Sequence, residues 1–258
     1  MKEKEYRRLS DHEIIMLETL LREHIIGVFG ELLDATWVWL QTEEAREYFY
    51  QQQEMFNIFI AESRIQDRWN DIITERAKKG VDITGQIYEY ARQVNTPEGV
   101  VHFTPAEQKM FNQLCDYNYE LIRNVGADEV RAIRKKLLED AIEGVNPRRT
   151  SLRELQLQPI NGLSPQQRAV TIARTENARA INTATLMTMK EDGVMFVTPL
   201  CSTDCKVCNS HVGDLIPIDE ALDEPLYHPN CGCSWTAAVN PETGTYTIDG
   251  GEAFEQLS

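Results

Sequence analysis

From Asp11 to about Leu40 apolar residues recur at helical spacing: Ile14, Ile15, Leu17, Leu21, Ile25, Val28, Leu32, Leu33, Trp37 and Leu40. Ser10 or Asp11 offers the N-cap acceptor, and Glu13 places an acid in the first turn. Gly27 and Gly30 predict a bend or a split, because each weakens a helix interior by ~1 kcal/mol relative to Ala. A second helix is predicted over 42–79, with Tyr48, Phe49, Phe56, Phe59, Ile60, Ile65 and Trp69 as its apolar set and Gly80 as its stop. A shorter helix over 84–93 ends before the turn Thr96-Pro97-Glu98-Gly99. Thr104-Pro105-Ala106-Glu107 opens another, with Thr as cap and Pro at the first helical position, and 128–143 forms one more, closed by Gly144. Residues 146–162 read as irregular. Ser164-Pro165 then starts the last long helix, which Asp192-Gly193 stops near Glu191.

After Gly193 the pattern changes. Val194 to Thr198 is short and β-branched, which predicts a strand, and 199–230 reads mostly as loop. Residues 234–239 and 245–248 flank Asn240-Pro241-Glu242-Thr243-Gly244, a hairpin pattern. No run of eighteen apolar residues exists, so no transmembrane helix and no membrane partner is expected. The N-terminus has no apolar stretch of the kind a secretory leader carries, and a cytosolic protein is the expectation.

Charge divides the chain further. The net charge is −15, yet Arg131 to Arg179 holds ten Lys/Arg against five Asp/Glu. After Lys206 there are nine Asp/Glu and no Lys or Arg. Phosphate contacts need clustered cations, so general binding of duplex DNA over the whole surface is excluded. Any DNA contact falls to the basic 131–179 segment, with Arg148, Arg149 and Arg153 as its candidates.

Six cysteines in a cytosolic chain argue against a disulfide framework, and five of them fall between 201 and 233. The pattern is Cys205-x2-Cys208, then His228-x2-Cys231-x-Cys233. Zinc takes four tetrahedral sulfur or nitrogen ligands, commonly as two pairs from separate turns. Cys205, Cys208 and His228 are three of the four, and Cys231 and Cys233 are alternatives for the last place. Cys201 and His211 lie off the pattern as bystanders. A small module has little apolar core, so a closed structural zinc site would supply much of its folding energy. The fold class is therefore mainly α (α+β): an elongated helical N-terminal body followed by a small, zinc-stabilised, β-containing C-terminal module.

Three elements stand in order: Ile172-Ala173-Arg174-Thr175-Glu176 on a helix, the Cys205–Cys208 pair, and His228-Pro229-Asn230-Cys231-Gly232-Cys233. In this they resemble the phage head-morphogenesis family, the Mu F-like minor head proteins, over roughly 147–240. Many relatives have Arg where Gly232 stands. The resemblance implies three parts: a helical body over 1–146 that contacts portal or capsid, a Mu F-like domain with a zinc knuckle over 147–240, and an acidic hairpin or tail over 241–258. It further implies a non-catalytic minor capsid protein inside the head or procapsid, made in the host cytoplasm. Its partners would be the portal protein, capsid or scaffold proteins and in some cases packaged double-stranded DNA, and its role head morphogenesis, with DNA packaging or ejection.

On the Ile172–Glu176 helix, Arg174 shares a face with Ala178 and Ile181, and Glu176 lies about 200° round. Arg174 or Glu176 is expected to clamp this helix to the zinc module, the alternative being a surface ion pair with Arg179 or Lys190. Two other functions fit less well. A metal-dependent treble-clef nuclease needs a general base such as His211 beside a phosphate, and the acidic module repels phosphate. A DNA-binding regulator would use the 131–179 segment, where no recognition helix accompanies the cations.

Overall fold

The computed structural model describes residues 9–45, 58–96, 103–143, 159–160, 162–201 and 205–238. Four long helices precede a three-stranded sheet: α1 Asp11–Leu40, α2 Ile58–Asn95, α3 Pro105–Ile142 and α4 Pro165–Glu191, then β1 Phe196–Leu200, α5 Lys206–Asn209, β2 Ile216–Pro217, α6 Ile218–Asp223 and β3 Ser234–Ala237. The mainly α class with a small C-terminal sheet is the one expected. Among the described residues no helix is long and apolar enough to cross a membrane.

A capping box starts α1: the Ser10 N–H donates to Glu13 Oε2 at 2.8 Å, and the Glu13 N–H donates to Ser10 Oγ at 3.3 Å. The cap is therefore Ser10. Three expected breaks do not occur. α1 runs through Gly27 and Gly30, α2 runs through Gly80, and α3 is one helix where two were predicted. Gly80 and Gly126 serve packing instead, whereas nothing lies within 4 Å of a Cβ at Gly30. A Cβ at Gly80 would lie 3.1 Å from Ile122 Cγ1 and 3.2 Å from His24 Nε2, and one at Gly126 would lie 2.6 Å from Ile73 Cγ1. Each missing side chain lets a neighbouring helix approach, which offsets the ~1 kcal/mol helix cost of Gly.

The chain divides into two compact units, one of residues 1–18, 84–112 and 174–258, the other of 19–83 and 113–173. This division does not follow a boundary at 146/147, because each of α1 to α4 supplies a segment to both units. Residues 239–258, with the expected second hairpin strand and tail, lie outside the described residues.

In the unit of 19–83 and 113–173 the core includes Ile25, Leu32, Trp69, Ile122 and Ile133. Trp69 donates its indole N–H to Thr36 Oγ1 at 3.1 Å. Arg168, buried, bonds the fully buried Glu129 at 3.0 Å and lies over the Phe29 ring. Cations of the basic segment are thus partly committed: Arg131 pairs with Asp128, Lys135 with Glu139 at 3.7 Å, and Arg168 with Glu129.

His24 gives this unit a pH dependence. Its ring is buried, Nε2 lies 2.8 Å from the Arg76 carbonyl, and Nδ1 is buried without a partner. The neutral ring donating from Nε2 fits; a second proton would be buried unpaired. Burial accordingly lowers its pKa. A depressed histidine contributes stability above its ordinary value of about 6.5, and that stability is lost as pH falls through the folded value. Thermal unfolding measured from about pH 7.5 down to about pH 5 should show a smaller acid loss in His24→Gln, which keeps a donor for the Arg76 carbonyl. An unchanged loss would remove His24 as the cause.

In the other unit the sheet order is β2-β1-β3, with both pairings antiparallel. β1 starts two residues later than predicted, because Gly193 at φ 81° closes α4 and Val194 still donates its N–H to the Met189 carbonyl. Leu186, Met187 and Met189 of α4 pack on Val197, Ile218, Leu222, Trp235 and Ala237. The stretch expected as loop thus contains α5, β2 and α6. Pro217 precedes α6, and Asp219 and Glu220 sit in its first turn, a favourable start.

Candidate metal centre

The second cysteine and histidine positions are set by two short elements. Cys205 caps α5 and Cys208 lies within it, one helical turn on. The His228-Pro229-Asn230-Cys231 segment is a turn, with the Cys231 N–H reaching the His228 carbonyl at 3.2 Å and Asn230 at φ 60°. Asn tolerates that left-handed conformation better than other side-chain-bearing residues. The turn presents His228 and Cys231 to α5.

The resulting donor set is close. His228 Nε2 lies 3.2 Å from Cys205 Sγ and 2.9 Å from Cys208 Sγ, and Cys208 Sγ lies 3.7 Å from Cys231 Sγ. The Cys205, Cys208 and His228 ligand atoms all fall within 4.8 Å of one another, an arrangement that can hold a metal ion. For comparison, a tetrahedral ion bonded to sulfur at about 2.3 Å keeps its ligands about 3.8 Å apart. His228 Nδ1 lies 2.7 Å from the Pro229 carbonyl. A proton on Nδ1 satisfies that carbonyl and leaves the Nε2 lone pair toward the sulfurs, as metal-binding histidines are usually held.

The thiols differ electrostatically. Backbone N–H groups, that of Cys208 first, favour the Cys205 thiolate and lower its pKa. Burial, with Cys231 and Cys205 as sulfur neighbours, pushes the Cys208 thiol up to about 12. Several sulfurs in one pocket cannot all ionise alone. A cation resolves this conflict, because it stabilises the thiolates together.

Cys201 and Cys233 form a disulfide, which corrects two expectations: Cys201 is no bystander, and Cys233 is withdrawn from the ligand alternatives while so bonded. The strand register explains the pairing. Leu200 lies opposite Ser234, so the next residues outward, Cys201 and Cys233, face each other with Cα atoms 4.3 Å apart. Cys231, still a free thiol, takes the place beside Cys208. The Cys201 and Cys233 sulfurs remain within 4.8 Å of Cys208.

The clamp between helix and knuckle differs from the one expected. Thr175 Oγ1 accepts the Asn230 N–H at 3.0 Å. Arg174 is exposed and pairs with Glu18 at 3.0 Å, while the buried Glu176 pairs with Arg179 at 3.2 Å. Asn182, one further turn along and buried, donates Nδ2 to the carbonyls of both Pro225 and Cys233 at 3.0 Å. No local pattern in the sequence assigns Asn182 a contact. Asn182→Leu should lower stability by about 2 kcal/mol, since the Cys233 carbonyl loses a buried donor while Pro225 keeps the Trp235 indole N–H. Denaturant unfolding would measure it, and no change would show that the clamp is energetically idle.

His211 stacks on Tyr227 at 4.2 Å between centroids, with Nδ1 3.2 Å from Asp214 Oδ2. Arg148, Arg149 and Arg153 lie outside the described residues. No family model, curated protein or solved structure matches this chain.

Proposed function

We propose that this chain is a minor head protein of a tailed bacteriophage, a non-catalytic structural component with a zinc-stabilised knuckle. One observation carries the reading. The three ordered sequence elements converge: Thr175 of the first holds Asn230 of the third, and Cys231 of the third meets Cys208 of the second. Elements whose contacting residues lie 55 apart in the chain and share one centre behave as a single motif. Thiolate and imidazole donors at Cys205, Cys208 and His228, with Cys231 beside Cys208, suit zinc over harder ions. With the metal surrounded by protein ligands, its role is to fix the knuckle, and the surrounding helices are left to bind portal, capsid or scaffold proteins inside the procapsid, near the packaged genome.

The experiment is co-expression of the chain with portal, scaffold and capsid genes taken from the same genome, followed by gradient purification of procapsids. The chain should sediment with procapsids in low copy and carry about one zinc per chain. Recovery entirely in the soluble fraction, with portal and scaffold present, would overturn the assembly role.

A further inference from the structure

Five cysteines and one histidine gather around Cys208. The ligand atoms of Cys205, Cys208 and His228 lie within 4.8 Å of one another, and so do those of Cys201, Cys208 and Cys233. Cys208 belongs to both sets, and Cys231 Sγ lies 3.7 Å from it. Cys208, Cys231 and Cys233 are buried together, with Cys201 and Cys205 packed against them. A single tetrahedral ion takes four of these donors and leaves two sulfurs over. Two such ions that share two sulfurs are filled by six donors. The 3.7 Å between Cys208 and Cys231 matches the edge of about 3.8 Å that both tetrahedra would then have in common.

The disulfide decides how many of these donors are free. While Cys201 and Cys233 are bonded to each other neither is a thiolate, and only the first set can act. Their positions do not depend on that bond alone. Leu200 and Ser234 pair across β1 and β3 just inside them, and the buried Asn182 of α4 donates to the Cys233 carbonyl at 3.0 Å. The chain after Lys206 supplies no Lys or Arg to balance further thiolates. A second dication balances them, and it ties the end of β1 to the start of β3 as the disulfide did.

We infer that reduction of the Cys201–Cys233 bond opens a second site for a thiophilic divalent ion, held by Cys201, Cys233 and the Cys208 and Cys231 sulfurs it shares with the first ion. This rests on the zinc reading of the first centre. With a phosphine as reductant, the S–S bond accepts two electrons and two protons to give two thiols. The phosphine becomes its oxide, and water supplies both the oxygen and the protons. Each thiol then passes its proton to the buffer as its metal–sulfur bond forms. Redox state thus exchanges a covalent crosslink for a metal-mediated one at the same place.

The test uses the full chain carrying Cys115→Ser, which removes the remaining cysteine. It is saturated anaerobically with ¹¹³Cd²⁺, a thiophilic probe, once with the disulfide intact and once after phosphine reduction. Bound metal by native mass spectrometry should double on reduction, from about one to about two ions per chain. ¹¹³Cd NMR should then show a second, all-sulfur signal, downfield of the first and split by coupling through the shared sulfurs. The double variant Cys201→Ser, Cys233→Ser should hold one ion with or without reductant. If that variant does not fold, the two redox states of the parent still decide, since their comparison needs no substitution at the site. One ion in the reduced parent, uncoupled signals, or a second ion retained by the double variant overturns the second site and leaves the first standing. No bound ion in either redox state overturns the zinc reading as well.

Discussion

If the centre holds zinc as proposed, Cys208→Ser should release it from the purified chain and disorder the segment around Trp235. Cys208 is the sulfur that contacts both His228 and Cys231, and it is fully buried. A serine hydroxyl there is a poor ligand for a soft ion, and the neighbouring donors are then left uncompensated. Structural zinc contributes about 10–16 kcal/mol of apparent binding free energy in small domains, so even partial loss exceeds what a sheet of strands of two, four and five residues can absorb. Metal content by mass spectrometry and the dispersion of the Trp235 indole resonance would be followed together. Cys115→Ser, a free and half-buried thiol in the other unit, is the control and should change neither. A Cys208→Ser chain that retained its metal and its Trp235 signal would refute a Cys208-centred site.

The second large effect belongs to a buried ion cluster. Arg92 is 3% exposed and Glu107 fully buried. The Arg92 guanidinium bonds Glu107 Oε2 at 3.0 Å, Thr188 Oγ1 at 2.5 Å and Glu191 Oε2 at 2.5 Å, and Tyr88 donates its hydroxyl to Glu107 Oε1 at 3.2 Å. Arg92→Met preserves much of the volume but leaves a buried carboxylate without its cation. Breaking such a pair from one side costs about 3–5 kcal/mol, which corresponds to a fall in Tm of about 10 °C for a chain of this size. The double variant Arg92→Met, Glu107→Gln should recover most of the loss, because no charge stays behind. The pH response has a definite sign. Burial already raises the Glu107 pKa, against the pull of Arg92. Without Arg92 it rises further, and a carboxyl raised in the folded state stabilises at low pH and loses that contribution as pH climbs through the folded value. The Arg92→Met deficit should therefore shrink on acidification. A deficit that is independent of pH, with no rescue in the double variant, would mean packing rather than charge.

Much of this was legible in the residues. Helical spacing located the apolar stripe of α1, Ser164-Pro165 and Asp192-Gly193 bounded α4, and Ser10 with Glu13 marked the first cap. The CxxC and His-Pro-Asn-Cys spacings located the donors, since both are local patterns. What failed was nonlocal. Gly80 read as a helix stop because its reason lies on another helix, at Ile122. The Cys201–Cys233 bond is a matter of strand register, invisible until β1 and β3 are aligned at Leu200 and Ser234. Thr175 was quoted within its motif, but Arg174 and Glu176 drew attention through their charge; the contact goes to the small hydroxyl because the Asn230 backbone comes within 3.0 Å of it. Arg92, too, gave no signal, since its partners lie at positions 107, 188 and 191.

The interleaving of the two units fixes an order of events during synthesis. Residues 19–83 and 113–173 are all translated before Phe196 emerges, whereas the other unit must wait for Trp235 to complete its core. One unit can therefore assemble while the ribosome is still at work, and the opening helix must hold its N-terminal turns in reserve for strands not yet made. A clone beginning at residue 147 would lack Arg92 and Met110, both of which touch that later core or its flanking helix, and should give a smaller soluble fraction than the entire chain.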